Sequence, residues 1–513
     1  MNTKILIPLI GVSALSSCSQ KQENAIPNKP NIIWLMAEDM GQDLECYGMS
    51  SVKTPNLNLL AQQGVKYNTA VCANPISSPN RSAMMTGATQ VVTNSHNHRS
   101  NRKTPIDQQF KPFTYYLRQN GYTCILGNEE VYTKGRKTDC NFQTENLGEW
   151  NGVDKFGLFD KYDTFSAEDQ PFFAQIQLKV THRGDWWNKV TADSKHPVDP
   201  TTVELPPFMP DHPQIRKEWA SYLDQVEFMD NEVGLIMKQL KDKGLLDNTI
   251  VFFIGDNGRC DIKGKGYLYE PGLKIPMIAW GKGIKPKVED GVVSVLDITA
   301  SILDMAGIEL PSYYEGKPLF DKATGEALYT RDEVYSARDT WDEVIECSRA
   351  ITTKDYKYIR NYMPEQGWDM HQHYLDFHRP AIHIMRKLKE ENKLTPEQLL
   401  FLRETKPTEE LYDLNKDPNE LNDLAKDPKF ASKLKELSGR MDKWQAEHND
   451  LGLKDMHDRH PESMPQIRRY LKEQRPDIWE YIKEGNIIDN YQVLKNESDK
   501  FYKKNKSKNK SKK

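Results

Sequence analysis

The chain has 513 residues, 28% of them charged and 37% hydrophobic, with a formal net charge of −4. That is enough apolar material for one large domain and a smaller one. The charge is too evenly balanced for a dedicated nucleic-acid binder.

Residues 1–18 contain Lys4, an apolar run from Ile5 to Leu15, and then Ser16-Ser17-Cys18. The run is too short to span a bilayer and has the length of a secretory signal core. Leu15-Ser16-Ser17-Cys18 resembles a bacterial lipobox. This implies lipidation at Cys18, an exported lipoprotein, and the periplasm or outer-membrane surface of a Gram-negative bacterium. The alternative is an ordinary cleaved signal peptide. On the lipoprotein reading the chain meets a membrane only through its lipid anchor, and residues 19–30 form a polar tether. The remaining cysteines are Cys46, Cys72, Cys124, Cys140, Cys260 and Cys347. None forms a CxxC pair, so zinc has no support. Export permits disulfides, but spacing does not assign any.

Residues 31–37 are an apolar run ending at Glu38-Asp39, read as a strand buried on both faces. Residues 171–178, ending near His182, and 249–254, ending at Asp256-Asn257, read the same way. In open α/β sheets the carboxyl edge of the strands is where sites are built. Helices are expected from Thr54, with Pro55 at the first helical position, and over 113–119, 215–244 and 298–306. This alternation predicts an α/β fold, a large mixed sheet flanked by helices. Residues 350–353 and 356–360 read as hairpin strands of a smaller C-terminal α+β subdomain. The expected domains are 31–335 and 336–490, followed by a basic tail over 491–513. Lysine repulsion and low apolar content predict disorder in that tail.

Ser77-Ser78-Pro79-Asn80-Arg81-Ser82-Ala83-Met84-Met85-Thr86-Gly87 carries the most chemistry. Pro79 after Ser78 predicts a helix beginning there with Pro79 at the first position. The free N–H groups and dipole of such an end favour an anion, and Arg81 falls within the first turn.

This stretch resembles the signature of the type I sulfatases of the alkaline phosphatase-like superfamily. In that family the first signature residue is oxidised to formylglycine, the catalytic nucleophile. The resemblance makes Ser77 the modified residue. A Ser in place of a Cys implies a radical-SAM, oxygen-independent maturase as partner. It also implies one Ca2+ held by Glu38, Asp39, Asp256, Asn257 and residue 77, in keeping with calcium's preference for oxygen ligands. Glu38 departs from the family's usual Asp. Lys265, in the block from Lys265 to Pro276, matches the family's sulfate-binding Lys. His182 matches its mid-chain His, which protonates the leaving oxygen. The family's Gly-Lys-x-His is missing, since Gly127 is followed by Asn128. Lys137-Thr138-Asp139-Cys140-Asn141-Phe142 resembles a Lys-x-Asp variant. Lys137 is therefore expected beside the nucleophile, and Asp139 in the place of the His, as a base.

Segments 295–303 and 410–418 resemble scaffold motifs of the same family. Arg338, Asp339, Trp341 and Asp342 are expected to line a sugar pocket. The resulting expectation is an exported sulfatase acting on sulfated carbohydrates such as glycosaminoglycans or mucin glycans. The alternatives are a phosphodiesterase or phosphonate hydrolase of the same superfamily, disfavoured by the lack of a zinc-binding His set, and a non-catalytic glycan-binding relative.

Overall fold

The computed structural model describes residues 25–510, apart from 148–156, 330, 343, 371, 455–466, 487 and 489–490. The expected lipidation site at Cys18 lies outside the described residues.

The large sheet is built from β1 (Asn31–Ala37), β2 (Val65–Val71), β3 (Thr123–Leu126), β4 (Phe172–Leu178), β5 (Thr249–Gly255), β6 (Lys274–Gly281) and β7 (Lys287–Ser294), in the order β3-β4-β1-β5-β6-β2-β7. β3, β4, β1 and β5 run parallel, and β6 is antiparallel to both of its neighbours. β1, β4 and β5 are buried along their whole length, which is why they read as continuous apolar runs.

Register decides where the chemistry goes. Ala37 lies opposite Leu178 on one side and Gly255 on the other. The three strands therefore stop at one level, and Glu38-Asp39, His182 and Asp256-Asn257 emerge along one edge. Backbone bonds lock that edge: Glu38 N–H donates to the Leu178 carbonyl and Asp256 N–H to that of Ala37.

The expected helices are present, with ends shifted by a residue or two. The long one runs Pro213–Asp242, and that over 113–119 is Phe113–Gln119. Thr54 caps the helix Pro55–Gln63 by backbone conformation, while its hydroxyl accepts from Glu45 N–H instead.

A second, antiparallel sheet has the order β11-β10-β9-β8 and comprises β8 (Glu333–Arg338), β9 (Ser348–Thr353), β10 (Tyr356–Asn361) and β11 (Glu409–Asp413). The expected division at 335 falls inside β8. That strand docks on the chain leading to the nucleophile: Ala337 N–H donates to the Ala73 carbonyl and Ser336 Oγ to that of Cys72. One apolar core includes residues of both sheets, from Leu35 and Phe253 to Ala350 and Tyr412.

The tail expectation needs correction. Residues Tyr491–Lys510 are helical. Tyr491 and Leu494 are buried with Phe377, Leu471 and Ile482. This apolar stripe supplies tertiary packing, which helices in water depend on and which a composition argument does not see.

Candidate active site

Glu38, Asp39, Asp256 and Asn257 are all buried. Asp39 adopts φ 51°, a left-handed conformation that Asp tolerates better than most residues. The chain thus turns inward directly after β1. Asp39 N–H donates to Asp256 Oδ1 at 2.9 Å, and Asn257 Nδ2 donates to Asp39 Oδ1 at 3.1 Å.

The helix Ser77–Thr86 is buried throughout. It starts two residues before the expected point, so Ser77 is its first residue and Pro79 its third. Asparagine side chains set that entry. Asn74 Oδ1 accepts from Ile76 N–H, and Asn80 Oδ1 accepts from Ala73 and Asn74 N–H. Proline is tolerated there because first-turn N–H groups have no intrahelical partner. Ser77 Oγ donates to Asn257 Oδ1 at 2.9 Å. Arg81, one turn on, donates through Nε and Nη2 to Asp256 Oδ2 at 3.1 and 2.9 Å.

The other cations also meet this edge. Lys265 Nζ donates to Asp39 Oδ1 at 2.6 Å and stands 5.2 Å from the centre of the Tyr374 ring. Lys137 Nζ donates to Glu38 Oε2. His182 Nε2 lies 3.8 Å from both Glu38 Oε2 and Asp39 Oδ2. Its Nδ1 faces the Arg183 carbonyl at 3.0 Å, which fits a tautomer protonated on Nδ1. Burial pushes the imidazole down to about 3, against the pull of Glu38. Lys137 and His182 are about one-fifth exposed, whereas Ser77, Arg81 and Lys265 are buried. The mouth of the site is therefore at Lys137 and His182.

Among the described residues, three deeply buried atoms here have no hydrogen-bond partner: Glu38 Oε1, Asp39 Oδ2 and Arg81 Nη1. Buried polar atoms are normally satisfied. Two orphaned carboxylate oxygens suit a hard cation, and an orphaned guanidinium N–H suits an anion. Among the described residues, no three His, Cys, Asp or Glu side chains form a ready-made metal cluster. Lys137, Lys265 and Arg81 each hold one of the carboxylates instead. The oxygen donors of residues 38, 39, 77, 256 and 257 nevertheless match the chemistry of a calcium site.

Asp139 departs from its expected role as a base. It accepts from Arg99 Nε and Nη2 at 3.0 and 2.9 Å, and from Arg102. Burial alone would raise its pKa, but Lys137 and Arg99 outweigh burial and hold the carboxyl well below its ordinary range. A carboxylate so stabilised is a poor proton acceptor. Asp139 thus serves as a charge anchor for Arg99 and Arg102.

The expected sugar-pocket residues lie at the end of β8 and in the turn after it, where Arg338, Asp339 and Trp341 are buried and Asp342 is partly exposed. Arg338 is buried with its guanidinium 4.6 Å from the Tyr267 ring centre. Asp339 is buried against Arg349, which is clamped by Asp450. Trp341 is buried behind Gly266. Asp342 is engaged by His98 Nδ1 and Gln372 Nε2, each at 2.9 Å.

Sequence reasoning missed Tyr374 and the Arg99–Arg102 pair. Tyr374 OH lies 3.3 Å from His182 Nε2. Neither belongs to a motif, and only the fold brings them in.

The model of the family described as Sulfatase matches residues 30–308, and that of N-sulphoglucosamine sulphohydrolase, C-terminal, matches residues 258–380. An ulvan-active sulfatase of Formosa agariphila is 30% identical over 467 residues, covering 82% of this chain and 76% of its own. The human N-sulphoglucosamine sulphohydrolase is 27% identical, covering 82% and 90%. The solved structure of a 2-O GAG sulfatase superposes with a TM-score of 0.60 at 20% identity, over 85% of this chain and 95% of that one. This last is a likeness of fold.

Proposed function

The chain belongs to the sulfatase family and is a sulfuric ester hydrolase, and from the edge of its large sheet we propose that it removes sulfate from sulfated carbohydrates with residue 77 as nucleophile. One observation carries the reading. Ser77 opens a buried helix, beside Asn257, where Arg81, Lys265, Lys137 and His182 converge on three buried carboxylates.

A Ca2+ held by Glu38, Asp39, Asp256, Asn257 and residue 77 would supply positive charge beside the reacting sulfuryl group. Formylglycine, made from Ser77 by a radical-SAM maturase, would supply a carbon able to release sulfate that a plain serine would retain as a stable ester.

The chain's own residues do the rest. Arg81, Lys265 and Lys137 present fixed positive charge to the sulfuryl oxygens in a site largely closed to water, where such charge is worth most. Arg81 Nη1 is already unpaired and needs no rearrangement to donate. His182 is oriented by the Arg183 carbonyl, which leaves Nε2 facing Glu38 and Asp39. The negative charge of an entering sulfate favours the imidazolium, so Nε2 is placed to hand a proton to the leaving oxygen.

The relatives act, by their names, on ulvan, on glycosaminoglycan sulfate and on N-sulphoglucosamine. These names support sulfated polysaccharide fragments as substrates and bring N-sulfate into range beside O-sulfate. The lipobox-like Leu15-Ser16-Ser17-Cys18 supports an exported lipoprotein at the periplasm or cell surface.

The test is release of inorganic sulfate by the matured enzyme from a panel of defined sulfated sugars, with phosphate mono- and diesters in parallel. Sulfate release that is lost in Ser77→Ala is expected. Turnover of the phosphate esters alone would overturn the reading.

A further inference from the structure

A ladder of alternating charge leads from the nucleophile to the surface. Lys137 Nζ sits on Glu38 and lies 3.8 Å from Asp139 Oδ2. Arg99 Nη2 holds that same oxygen at 2.9 Å, and Arg102 holds Oδ1. Asp139 is buried, yet the Arg99 and Arg102 side chains are 41% and 46% exposed. A buried carboxylate thus anchors two guanidinium groups while leaving much of each open to solvent.

The anchor is itself fixed to the nucleophile helix. Asn141 N–H donates to Ser82 Oγ. Asn141 also donates to the Ser95 carbonyl and accepts from Asn101 N–H. The 95–102 loop is therefore tied through the 137–141 segment to the helix that carries Ser77. Arg99 also lies within electrostatic reach of Tyr374, which touches His182. The two arginines stand on the rim beside Lys137, one side chain out from the groups that receive the sulfate.

Charge along the ladder balances, but its hydrogen-bond donors are not all used. Asp342 also lies within electrostatic reach of Arg99, so Glu38, Asp139 and Asp342 balance Lys137, Arg99 and Arg102, and what the solvent end offers an anion is the N–H donors that Asp139 leaves open. Each guanidinium has five N–H donors, and one or two on each are occupied by Asp139. The rest form a fork suited to a planar or tetrahedral oxyanion.

We propose that Arg99 and Arg102 form a specificity subsite for a second anionic group of the substrate, a carboxylate or a further sulfate on the same or the adjoining sugar. The inference rests on the sulfatase reading and deepens it: the preferred substrate is a polyanionic carbohydrate, and singly sulfated neutral sugars are poor substrates.

The experiment compares kcat/KM of the matured enzyme on three probes: a monosulfated sugar, the same sugar with a second sulfate, and a monosulfated disaccharide containing a uronic acid. Wild type is expected to favour at least one doubly charged probe by about tenfold or more. Arg99→Gln/Arg102→Gln is expected to bring that ratio close to unity, mainly through KM. Arg102→Gln alone, a change at a more exposed side chain, should lower the ratio part of the way. The disulfate and the uronic acid arms tell the two anion sources apart. A wild type that treats all probes alike overturns the proposal while leaving the sulfatase reading intact. So does a double variant that loses activity on every probe in equal proportion, since that marks Asp139 anchoring as the only role. A matured wild type that releases no sulfate from any probe overturns the underlying reading and this proposal with it.

Discussion

Ser77 Oγ and Asn257 Oδ1 are joined by a 2.9 Å hydrogen bond across 180 positions of sequence. The bond pins the first residue of the buried helix to the end of β5. Ser77→Ala is therefore expected to abolish sulfate release while costing about 1 kcal/mol of stability, the worth of one hydrogen bond. Activity and a denaturant melt on the same preparation check it. Retained turnover would remove Ser77 from the role of nucleophile.

The modification itself is read by mass spectrometry. A peptide spanning Ser77, isolated from the native host, is expected to be lighter by two hydrogens than the encoded sequence. Finding only intact serine in active enzyme would refute the formylglycine reading.

Glu38 Oε1 and Asp39 Oδ2 are buried and unpaired. Calcium binding should relieve both. Chelation is expected to lower the thermal midpoint, and added Ca2+ to restore it. At a hundredfold excess over the dissociation constant the gain is about 2.7 kcal/mol. Asp39→Asn should abolish the calcium-dependent shift, read by calorimetry and independent of turnover. A midpoint indifferent to both chelator and calcium would exclude the site.

Gly266 has φ 91°, and a Cβ placed there would come within 2.4 Å of the Trp341 ring. Gly266→Ala should displace Lys265, its neighbour. Both left-handed strain and the clash oppose it, at a cost of about 1–3 kcal/mol. The expected result is a lowered melting point with a raised KM. Unchanged stability and KM would show that Trp341 yields freely and is no backstop.

Far from the site, His448 Nε2 lies 3.3 Å from Glu315 Oε2. Burial pulls the imidazole pKa down, but Glu315 and the Trp444 carbonyl outweigh burial and leave it raised. A raised folded-state value means that the pair stabilises the fold fully at pH below the unfolded-state value of about 6.5. That stability is lost as pH rises through the folded-state value. The pair is partly exposed, so it is worth no more than about 1 kcal/mol. His448→Gln should destabilise the protein at pH 5.5 and match wild type at pH 9. The opposite order would contradict the assignment.

Much of the fold was legible in the chain because its signals are local. Continuous apolar runs announced β1, β4 and β5, and apolar period marked the helix Pro213–Asp242. The signature around Ser77, Glu38-Asp39 after β1 and Asp256-Asn257 after β5 were legible for the same reason, since each motif lies within a dozen positions. The failures have one source. The Lys-rich tail was read from composition, yet Tyr491 and Leu494 find a buried face. Asp139 was given a base's role, yet Arg99 and Arg102 hold its charge. Trp341 was given a sugar, yet it faces Gly266.

By itself, then, the sequence determined the fold class, the family signature at Ser77 and the inventory of charged groups, because residue type and short-range spacing carry those. Tertiary structure alone decided which charges meet. Strand register brought Glu38, His182 and Asp256 to one level, and the docking of distant loops assigned Asp139 to Arg99 and left Arg81 Nη1 unpaired. Electrostatic role depends on separation, burial and partner, and these are properties of the packed chain.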